Sequence, residues 1–364
     1  DVDTSDPYVA LIQTSVPDGT ILTNLALTAM LPPEAGPTMD FSTEAIGTGP
    51  FKFVERVLDD HLTMEANEDY WGDVPKIQTV IIRDIPEATT MVSAFETGEV
   101  DLVWGIPPEE RDRLDSLPGL SVVENPTFTV RFLWMNAGIE PFNNPDVRAA
   151  IRHAIDIDAI VDVLFAGQAI KATGCVAQGV VGYCQQEPHP YDPEKAIELL
   201  AQAGYPNGFD TEIKVPTYLP KQREKAEVIA GYLADVGINA QVVIQDQALW
   251  IEDLLALNWE LNLLGTGTIT GDADFTLRRI YDSTAKRTGY ENDVLDELLR
   301  SQQSEGDLDT RLDMLCQACD ILWNDGPTLW TFQTTWLYGV SDRVQGFSPR
   351  FNQFIYFNEL SLVD

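Results

Sequence analysis

The sequence predicts an α/β protein with two lobes. The chain has 364 residues, of which 44% are hydrophobic, and such a chain can bury the core of two domains or of one large two-lobed unit. Residues 76–105 and residues 211–245 each show the pattern of a strand, a helix and a second strand. Because a long stretch with other helices separates these two segments, we expect them to lie in different lobes.

A β-hairpin is predicted before the first segment, over residues 46–70. Two runs alternate between apolar and polar residues, PFKFVERV and HLTMEAN, and Asp59 and Asp60 join them. Gly47 and Gly49 would suggest a phosphate-binding loop only if a helix followed them. A strand follows, so we predict no such loop.

The first strand–helix–strand segment starts with the apolar run KIQTVIIRDI. The helix after it begins at Pro86 and stops at Gly98, the residue type expected just past a last helical turn. The second strand is VDLVWG, and the length of the crossover predicts that the two strands pair in parallel.

Capped helices and the second strand–helix–strand segment follow. Asn144 can cap a helix that has Pro145 at its first position, and Asp192 can cap a helix over residues 193–203. In the second segment a helix over residues 221–236, ended by Gly237, joins the strands EIKVPTY and INAQVVI. Two more helices are expected over residues 293–301 and 310–324, before the aromatic-rich run TLWTFQTTWLYGV. Neither segment carries the Gly-x-Gly-x-x-Gly pattern of dinucleotide-binding folds.

The charge of the chain excludes several classes of partner. There are 58 acidic and 23 basic residues, for a net charge of −35, so nucleic acids and anionic lipids would be repelled over most of the surface. Arginine outnumbers lysine by 15 to 8, which fits both a protein from a high-salt habitat and ordinary solubility by net charge. The longest apolar runs fall well short of the ~20 residues that cross a bilayer.

The sequence offers little for catalysis or metal binding. His61, His153 and His189 are far apart and show no metal-ligand spacing. There is no Gly-x-Ser-x-Gly motif, and no cysteine has a credible base nearby. We therefore predict no enzyme, no metal and no cofactor. A hydrolase that acts on glycans or peptides through a carboxylate pair is kept as the alternative, because carboxylates and aromatic residues are abundant. Among 58 carboxylates some pair always comes close enough, so this signal carries almost no information.

One continuous stretch, residues 136–174, resembles a known family. It contains an asparagine, the helix NPDVRAAI, the block AID and the loop ATG, in that order. The same order is typical of the extracellular solute-binding proteins of peptide, nickel and opine ABC importers, and so is the pair GTGPF and NEDYW. The resemblance implies a class II periplasmic-binding-protein-like fold. In that fold mixed sheets are flanked by helices, and two crossings join the lobes, near residues 129–135 and 336–340.

The same resemblance implies a domain organisation. Residues 1–45 correspond to a remnant of a small extra domain of lobe one, residues 46–132 to lobe one, residues 133–337 to lobe two, and residues 338–364 to a segment that completes lobe one. An N-terminal segment of the family has no counterpart here, so we expect these residues to be a fragment.

The family further implies a function without catalysis. The chain would capture a small solute, such as an oligopeptide, an opine or a sugar, between its lobes and deliver it to the permease subunits of an ABC importer. We expect a monomer in the periplasm or outside the cell, either free or as a lipid-anchored protein.

Aromatic residues at strand ends and crossings are the predicted ligand contacts. A single tryptophan more often belongs to the core, but as a set these residues lie where the two lobes should meet. The predicted set comprises Trp104, Trp134, Tyr218, Trp336 and, from the loop over residues 265–272, Thr268, Ile269 and Asp272. In peptide-binding relatives an aspartate holds the α-amino group, and in dipeptide binders an arginine holds the carboxylate. Ile269 and Pro216 stand near these two positions, and an unpaired charged terminus is costly to bury. The resemblance therefore argues against a dipeptide with two charged ends.

Four cysteines in an exported protein favour disulfides. We predict a bond between Cys175 and Cys184, which bracket a glycine-rich loop. Cys316 and Cys319 lie three residues apart in a helical pattern, where two buried thiols and a bond between them are both open.

Overall fold

The computed structural model describes residues 1–32, 39–40, 43–165, 169–217 and 222–363. Its strands, in chain order, are β1 (Val2–Asp6), β2 (Val9–Ile12), β3 (Phe51–Val57), β4 (His61–Ala66), β5 (Thr79–Arg83), β6 (Leu102–Trp104), β7 (Leu120–Met135), β8 (Ile170–Lys171), β9 (Phe209–Pro216), β10 (Ile238–Gln245), β11 (Leu261–Gly267), β12 (Thr328–Ser341), β13 (Val344–Gln345) and β14 (Ser361–Leu362). Its α-helices are α1 (Ile21–Leu25), α2 (Ala88–Glu96), α3 (Arg111–Asp115), α4 (Pro145–Ala154), α5 (Ile157–Phe165), α6 (Pro193–Gln202), α7 (Gln222–Asp235), α8 (Gln247–Leu255), α9 (Ala273–Tyr281), α10 (Asp293–Ser304) and α11 (Leu308–Asn324). None of the helices in these ranges is long and apolar enough to span a bilayer.

The chain forms two compact units. Unit one comprises Asp1–Leu25 and Phe128–Thr334, and unit two comprises Ala26–Thr127 and Thr335–Asp364. The chain therefore passes from one unit to the other three times: after Leu25, inside β7 and inside β12.

The N-terminal residues of the chain contact unit one. Residues 1–25 belong to unit one, where the backbone N–H of Gly19 donates to the carbonyl oxygen of Gln303 on α10 at 2.8 Å. The neighbouring Thr20 is buried. A backbone hydrogen bond of this kind was invisible in the sequence because it joins segments almost 300 residues apart.

Unit one contains a mixed sheet. Its strand order is β10-β9-β11-β7-β12, with β8 paired to β12. Strand β9 is parallel to both β10 and β11, whereas β11 is antiparallel to β7. The parallel pair predicted for the second strand–helix–strand segment is thus confirmed.

The two faces of this sheet are each covered by helices. Side chains alternate along β7, so Val130, Phe132 and Trp134 pack in one apolar cluster while Leu133 and Met135 pack in another. The first cluster includes residues of α8 to α11, and the second includes residues of α4 to α7. Unit one is therefore a layer of strands between two layers of helices.

The predicted helix ends of unit one are confirmed. The side chain of Asn144 accepts a hydrogen bond from the N–H of Asp146, and that of Asp192 accepts one from the N–H of Lys195, each at 2.9 Å. Gly204 and Gly237 follow α6 and α7 with φ of +95° and +90°, a conformation that glycine adopts without steric cost.

The predicted hairpin of unit two is confirmed and is extended by one strand. Strands β3, β4 and β5 form an antiparallel three-stranded sheet. The turn between β3 and β4 contains Asp59 with a φ of 59°, and aspartate tolerates this left-handed conformation better than most residues.

The parallel pairing predicted for the first strand–helix–strand segment is wrong. Strand β5 pairs with β4, and β6 pairs antiparallel with β12, where Leu102, Val103 and Trp104 stand opposite Val340, Gly339 and Tyr338. The crossover through α2 has a length that parallel strands allow, but length does not determine which strands become neighbours.

The predicted Cys175–Cys184 disulfide is also wrong. Cys175 is bonded to Cys319 and Cys184 to Cys316, with Cα–Cα distances of 5.7 and 5.3 Å. Cys316 and Cys319 share one face of α11 because they are three residues apart, so both reach the glycine-rich loop instead of each other. Two bonds therefore fasten this loop to α11.

Candidate ligand-binding site

Two of the predicted ligand contacts, Trp104 and Trp336, line the same cavity in unit two. The cavity has a volume of about 630 Å³, within the usual range for sites that bind small molecules. The residues that line it are Ile82, Trp104, Trp336, Tyr338, Asn352, Gln353, Phe354, Ile355, Tyr356 and Phe357. We refer to it as the aromatic pocket.

Strand pairing brings the two tryptophans to one wall of the pocket. Trp104 ends β6 opposite Tyr338 on β12, and Trp336 lies two residues before Tyr338, on the same face of the strand. The ring centroids of Trp336 and Tyr338 are 6.3 Å apart. The chain turns away directly after Trp104, where Gly105 has a φ of +82°, so the indole stays at the end of its strand.

The segment over residues 350–357 forms the opposite wall. Arg350 anchors it, since its guanidinium pairs with the carboxylate of Glu359 at 2.8 Å and lies 5.3 Å from the ring centroid of Tyr356. The side-chain amide of Asn125 donates to the carbonyl oxygen of Arg350 at 2.9 Å. These contacts fix the backbone from which Asn352 and Gln353 reach the pocket.

The pocket combines apolar ring faces with a few polar groups. Trp104 is 38% exposed, so its ring is available to a ligand. The polar side chains of the lining are the amides of Asn352 and Gln353, and the oxygen of Asn352 accepts from the backbone N–H of Phe354 at 3.2 Å. Burial raises the pKa of the Tyr338 phenol, which therefore stays neutral. Such a site suits an uncharged part of a ligand that stacks on rings.

The predicted residues of the loop after β11 lie in unit one. The hydroxyl of Thr268 is buried and shares a hydrogen bond with that of Thr276 at 2.8 Å. Ile269 is 41% exposed. Of the residues we predicted in this loop, Ile269 is therefore the one whose side chain faces solvent.

Asp272 caps a helix and forms an ion pair inside unit one. Its carboxylate caps α9 by accepting from the N–H of Asp274, and it pairs with both terminal nitrogens of Arg311 at 2.7 and 2.8 Å. Both side chains are buried, and the hydrogen bonds to Asp272 raise the pKa of Arg311. This pair joins the loop to α11, beside the two disulfides.

Trp134 belongs to the core, the alternative that the sequence left open. It is only 3% exposed, its ring stacks on Phe132 and Trp259, and its indole N–H donates to the hydroxyl of Tyr281 at 3.3 Å. Because β7 alternates, residue 134 points into the apolar cluster of one sheet face. Tyr218 lies outside the described residues.

No metal centre emerges from the part of the chain that the structure describes, since no three His, Cys, Asp or Glu side chains there could hold an ion together.

The pocket residues that the sequence analysis did not single out include those of the 350–357 wall. The sequence contained one signal for this wall, the run of aromatic residues RFNQFIYF. It gave no indication that this run lies opposite β6 and β12.

The fold and the site define an α/β binding protein of the periplasmic-binding-protein class. DppA from Helicobacter pylori, solved in complex with the peptide STSA, superposes with a TM-score of 0.87 at 26% identity and is covered to 74%, with all of this chain included. HbpA2 from Haemophilus parasuis superposes with a TM-score of 0.84 at 26% identity and is covered to 75%, again over the whole chain.

The sequence assigns the family within this class. The profile of the bacterial extracellular solute-binding proteins, family 5 (middle part), matches residues 1–288. The glutathione-binding protein GsiB of Shigella dysenteriae is 31% identical over 340 residues, which cover 88% of this chain and 66% of that relative. The chain belongs to the bacterial extracellular solute-binding proteins of family 5, and it spans slightly less than two thirds of the length of the GsiB relative.

Proposed function

We propose that this chain is the solute-binding part of an ABC importer, which captures a peptide-like solute outside the cytoplasm and delivers it to the permease subunits in the membrane. Family membership supports the class of function. The solutes of two similar proteins, glutathione for GsiB and the peptide STSA for DppA, support a peptide-like ligand. We further propose that the chain works as a monomer, at the outer face of the membrane.

The aromatic pocket is the observation that carries this proposal. Its lining includes the exposed Trp104 and the half-buried Trp336. The cavity has a volume of about 630 Å³, and amide groups lie along one wall. Rings offer contact area to many side chains, whereas amides match the hydrogen bonds of a peptide backbone. Neither the family nor its relatives' names support the hydrolase alternative.

A thermal-shift screen of the purified chain tests the proposal. The probes are the peptide STSA, glutathione, an opine and an oligosaccharide, since a solute that binds only the folded state raises the melting temperature. We expect STSA or glutathione to raise it, and we expect Trp104→Ala and Trp336→Ala to reduce the affinity about tenfold or more.

Trp71 provides the matched control. Its ring is 82% exposed in unit two, and it does not line the aromatic pocket. Trp71→Ala should leave the affinity unchanged. If no probe shifts the melting temperature, or if all three variants behave alike, the proposed role of the pocket is wrong.

A further inference from the structure

A small cavity lies inside unit one, between α4, α11 and β12. It has a volume of about 20 Å³, which is room for one particle of about the size of a water molecule. Arg152 on α4, Trp323 on α11 and Trp330 on β12 are among the residues that line it. Arg152 and Lys171 are its charged residues, and no carboxylate of the described residues lines it. In a chain with 58 acidic and 23 basic residues, a cavity of this composition is a local exception.

Arg152 is buried at this cavity with one of its donors unused. It is 2% exposed, and its terminal nitrogens donate to the backbone carbonyl oxygens of Asn324, at 3.3 Å, and of Gly326. Its Nε atom, which is also buried, has no hydrogen-bond partner among the described residues. A buried donor without an acceptor is costly, most of all on a charged group. The cavity beside Arg152 therefore favours a ligand that accepts a hydrogen bond.

The positive charge of Arg152 also lacks a counterion. The carboxylate of Asp325 pairs with Arg148 at 2.8 Å and accepts from the phenol of Tyr290 at 2.7 Å. In the described part of the chain, the side chain of Arg152 bonds only to neutral carbonyl oxygens. Burial raises the pKa of Tyr290 to about 12, so its phenol stays neutral. Two buried arginines therefore share one carboxylate, and one buried charge is left without a partner.

Neighbouring groups leave this charge on the guanidinium. Burial and the positive charge of Arg148 lower the pKa of Arg152 to about 10, so Arg152 stays protonated at neutral pH. Burial and the charge of Arg152 lower the pKa of His189, which also lines the cavity, to about 4, so this imidazole is neutral there. Lys171 is already paired with Asp158 at 2.6 Å. The net charge of the lining is therefore that of Arg152.

Size and charge together select a monoatomic anion for this cavity. A water molecule would accept from Nε but would leave the charge unpaired, and a phosphate or carboxylate group is larger than the cavity. Chloride is little larger than water, carries the missing charge and accepts from N–H donors. The ring of Trp323 lies between those of Trp330 and His189, with centroids 5.3 and 5.7 Å away, and such ring walls suit a weakly hydrated halide.

We propose that this cavity binds a chloride ion, which accepts a hydrogen bond from Nε of Arg152 and neutralises its guanidinium. The ion would stabilise the contact between α4 and the segment that joins α11 to β12, where Arg152 already bonds to the backbone at residues 324 and 326. This chloride site is independent of the solute that the protein carries.

Crystals of the purified chain grown in sodium bromide test the site directly, because bromide replaces chloride and scatters X-rays anomalously. We expect an anomalous peak in the cavity, within hydrogen-bonding distance of Nε of Arg152. A water molecule at this position, or a cavity without any peak, would overturn the chloride site.

Thermal denaturation tests binding in solution. Sodium chloride replaces sodium gluconate at constant ionic strength, so that the screening of charges stays the same. We expect the melting temperature of the wild type to rise by about 2 °C or more and then to level off, because an ion that binds only the folded state stabilises it. A rise that does not saturate, or no rise at all, would mean binding at crystal concentration only and would contradict the proposal.

Two variants remove the site in different ways. Arg152→Met removes the charge, whereas Ala172→Val adds two methyl groups to the wall of the cavity, which Ala172 lines, and keeps Arg152 in place. Both should lose the dependence of the melting temperature on chloride. Arg223→Met and Ala201→Val are the matched controls, since both residues are exposed on other helices, and both should retain it. A chloride response of Ala172→Val equal to that of the wild type would overturn the site, even where Arg152→Met fails to fold.

Discussion

The guanidinium of Arg148 donates to the carbonyl oxygens of Phe142 and Asp325, each at 2.9 Å, and to the carboxylate of Asp325 at 2.8 Å. Arg148 is the arginine of the NPDVRAAI helix that made the family recognisable. Its bonds stay inside unit one, where they tie α4 to the end of α11. The motif therefore reports the scaffold and carries no information about the solute.

Lys225 should make the stability of the protein depend on pH in a way that one substitution removes. The unfolded chain holds the proton up to its ordinary pKa of 10.5, whereas the folded chain releases it near 7. Stability should therefore rise between about pH 7 and pH 10.5, where the unfolded state binds more protons. Below pH 7 the buried charge imposes its full cost.

We accordingly expect Lys225→Met to stabilise the protein at pH 6 by an amount on the order of 2–4 kcal/mol. The stabilisation by Lys225→Met should decrease toward pH 10. Thermal denaturation of the wild type, Lys225→Met and Arg223→Met across this pH range measures the effect. A gain that is constant with pH, or one that Arg223→Met reproduces, would show that Lys225 is not a buried, destabilising charge.

Individual tryptophans show what the sequence could predict about the site. Trp104 was predicted at the end of a strand and Trp336 at the second crossing, and the structure brings both to one pocket. Trp134 stood in an equally plausible place, but the alternation of β7 directs it into the core. Which face of a strand is covered depends on helices that come much later in the chain, so this distinction was not available from the sequence.

The two disulfides join the loop over residues 172–188 to helix α11. The ion pair between Asp272 and Arg311 joins the loop after β11 to the same helix. Sequence separations of 144 and 132 residues make these bonds closures of long loops, which constrain the unfolded chain strongly. We expect replacement of Cys175 and Cys319 together by serine to lower the free energy of unfolding by about 2–5 kcal/mol.

Peptide mapping of the unreduced protein checks the pairing directly. The digest should contain one cross-linked peptide with Cys175 and Cys319 and another with Cys184 and Cys316. A peptide that links Cys175 to Cys184 would restore the bond expected from the sequence and contradict the structure.

Helix ends and the hairpin were predictable because local chemistry determines them. The pairing of distant strands and of the cysteines was not predictable. The cap at Asn144, the ends of α6 and α7 and the hairpin of β3 and β4 all follow from residues within one or two turns of the chain. The partner of β6 is β12, more than 200 residues later, and the partners of the loop cysteines lie 144 and 132 residues away. Contacts between such distant segments depend on how the whole core packs.

For the whole molecule, the acidic surface acts against the approach of an anionic solute. A net charge of −35 repels an anionic solute at long range, although salt screens this repulsion. A peptide carboxylate therefore needs a local cation wherever it binds.

Calorimetric titration of the purified chain with STSA and with glutathione tests the central claim most directly. The proposed function predicts saturable binding of at least one of them at one site, with a dissociation constant of about 10 µM or lower and with a negative heat-capacity change from burial of apolar surface. The solute should be recovered unchanged. Absence of binding by both solutes, or their chemical conversion by the protein, would contradict the account.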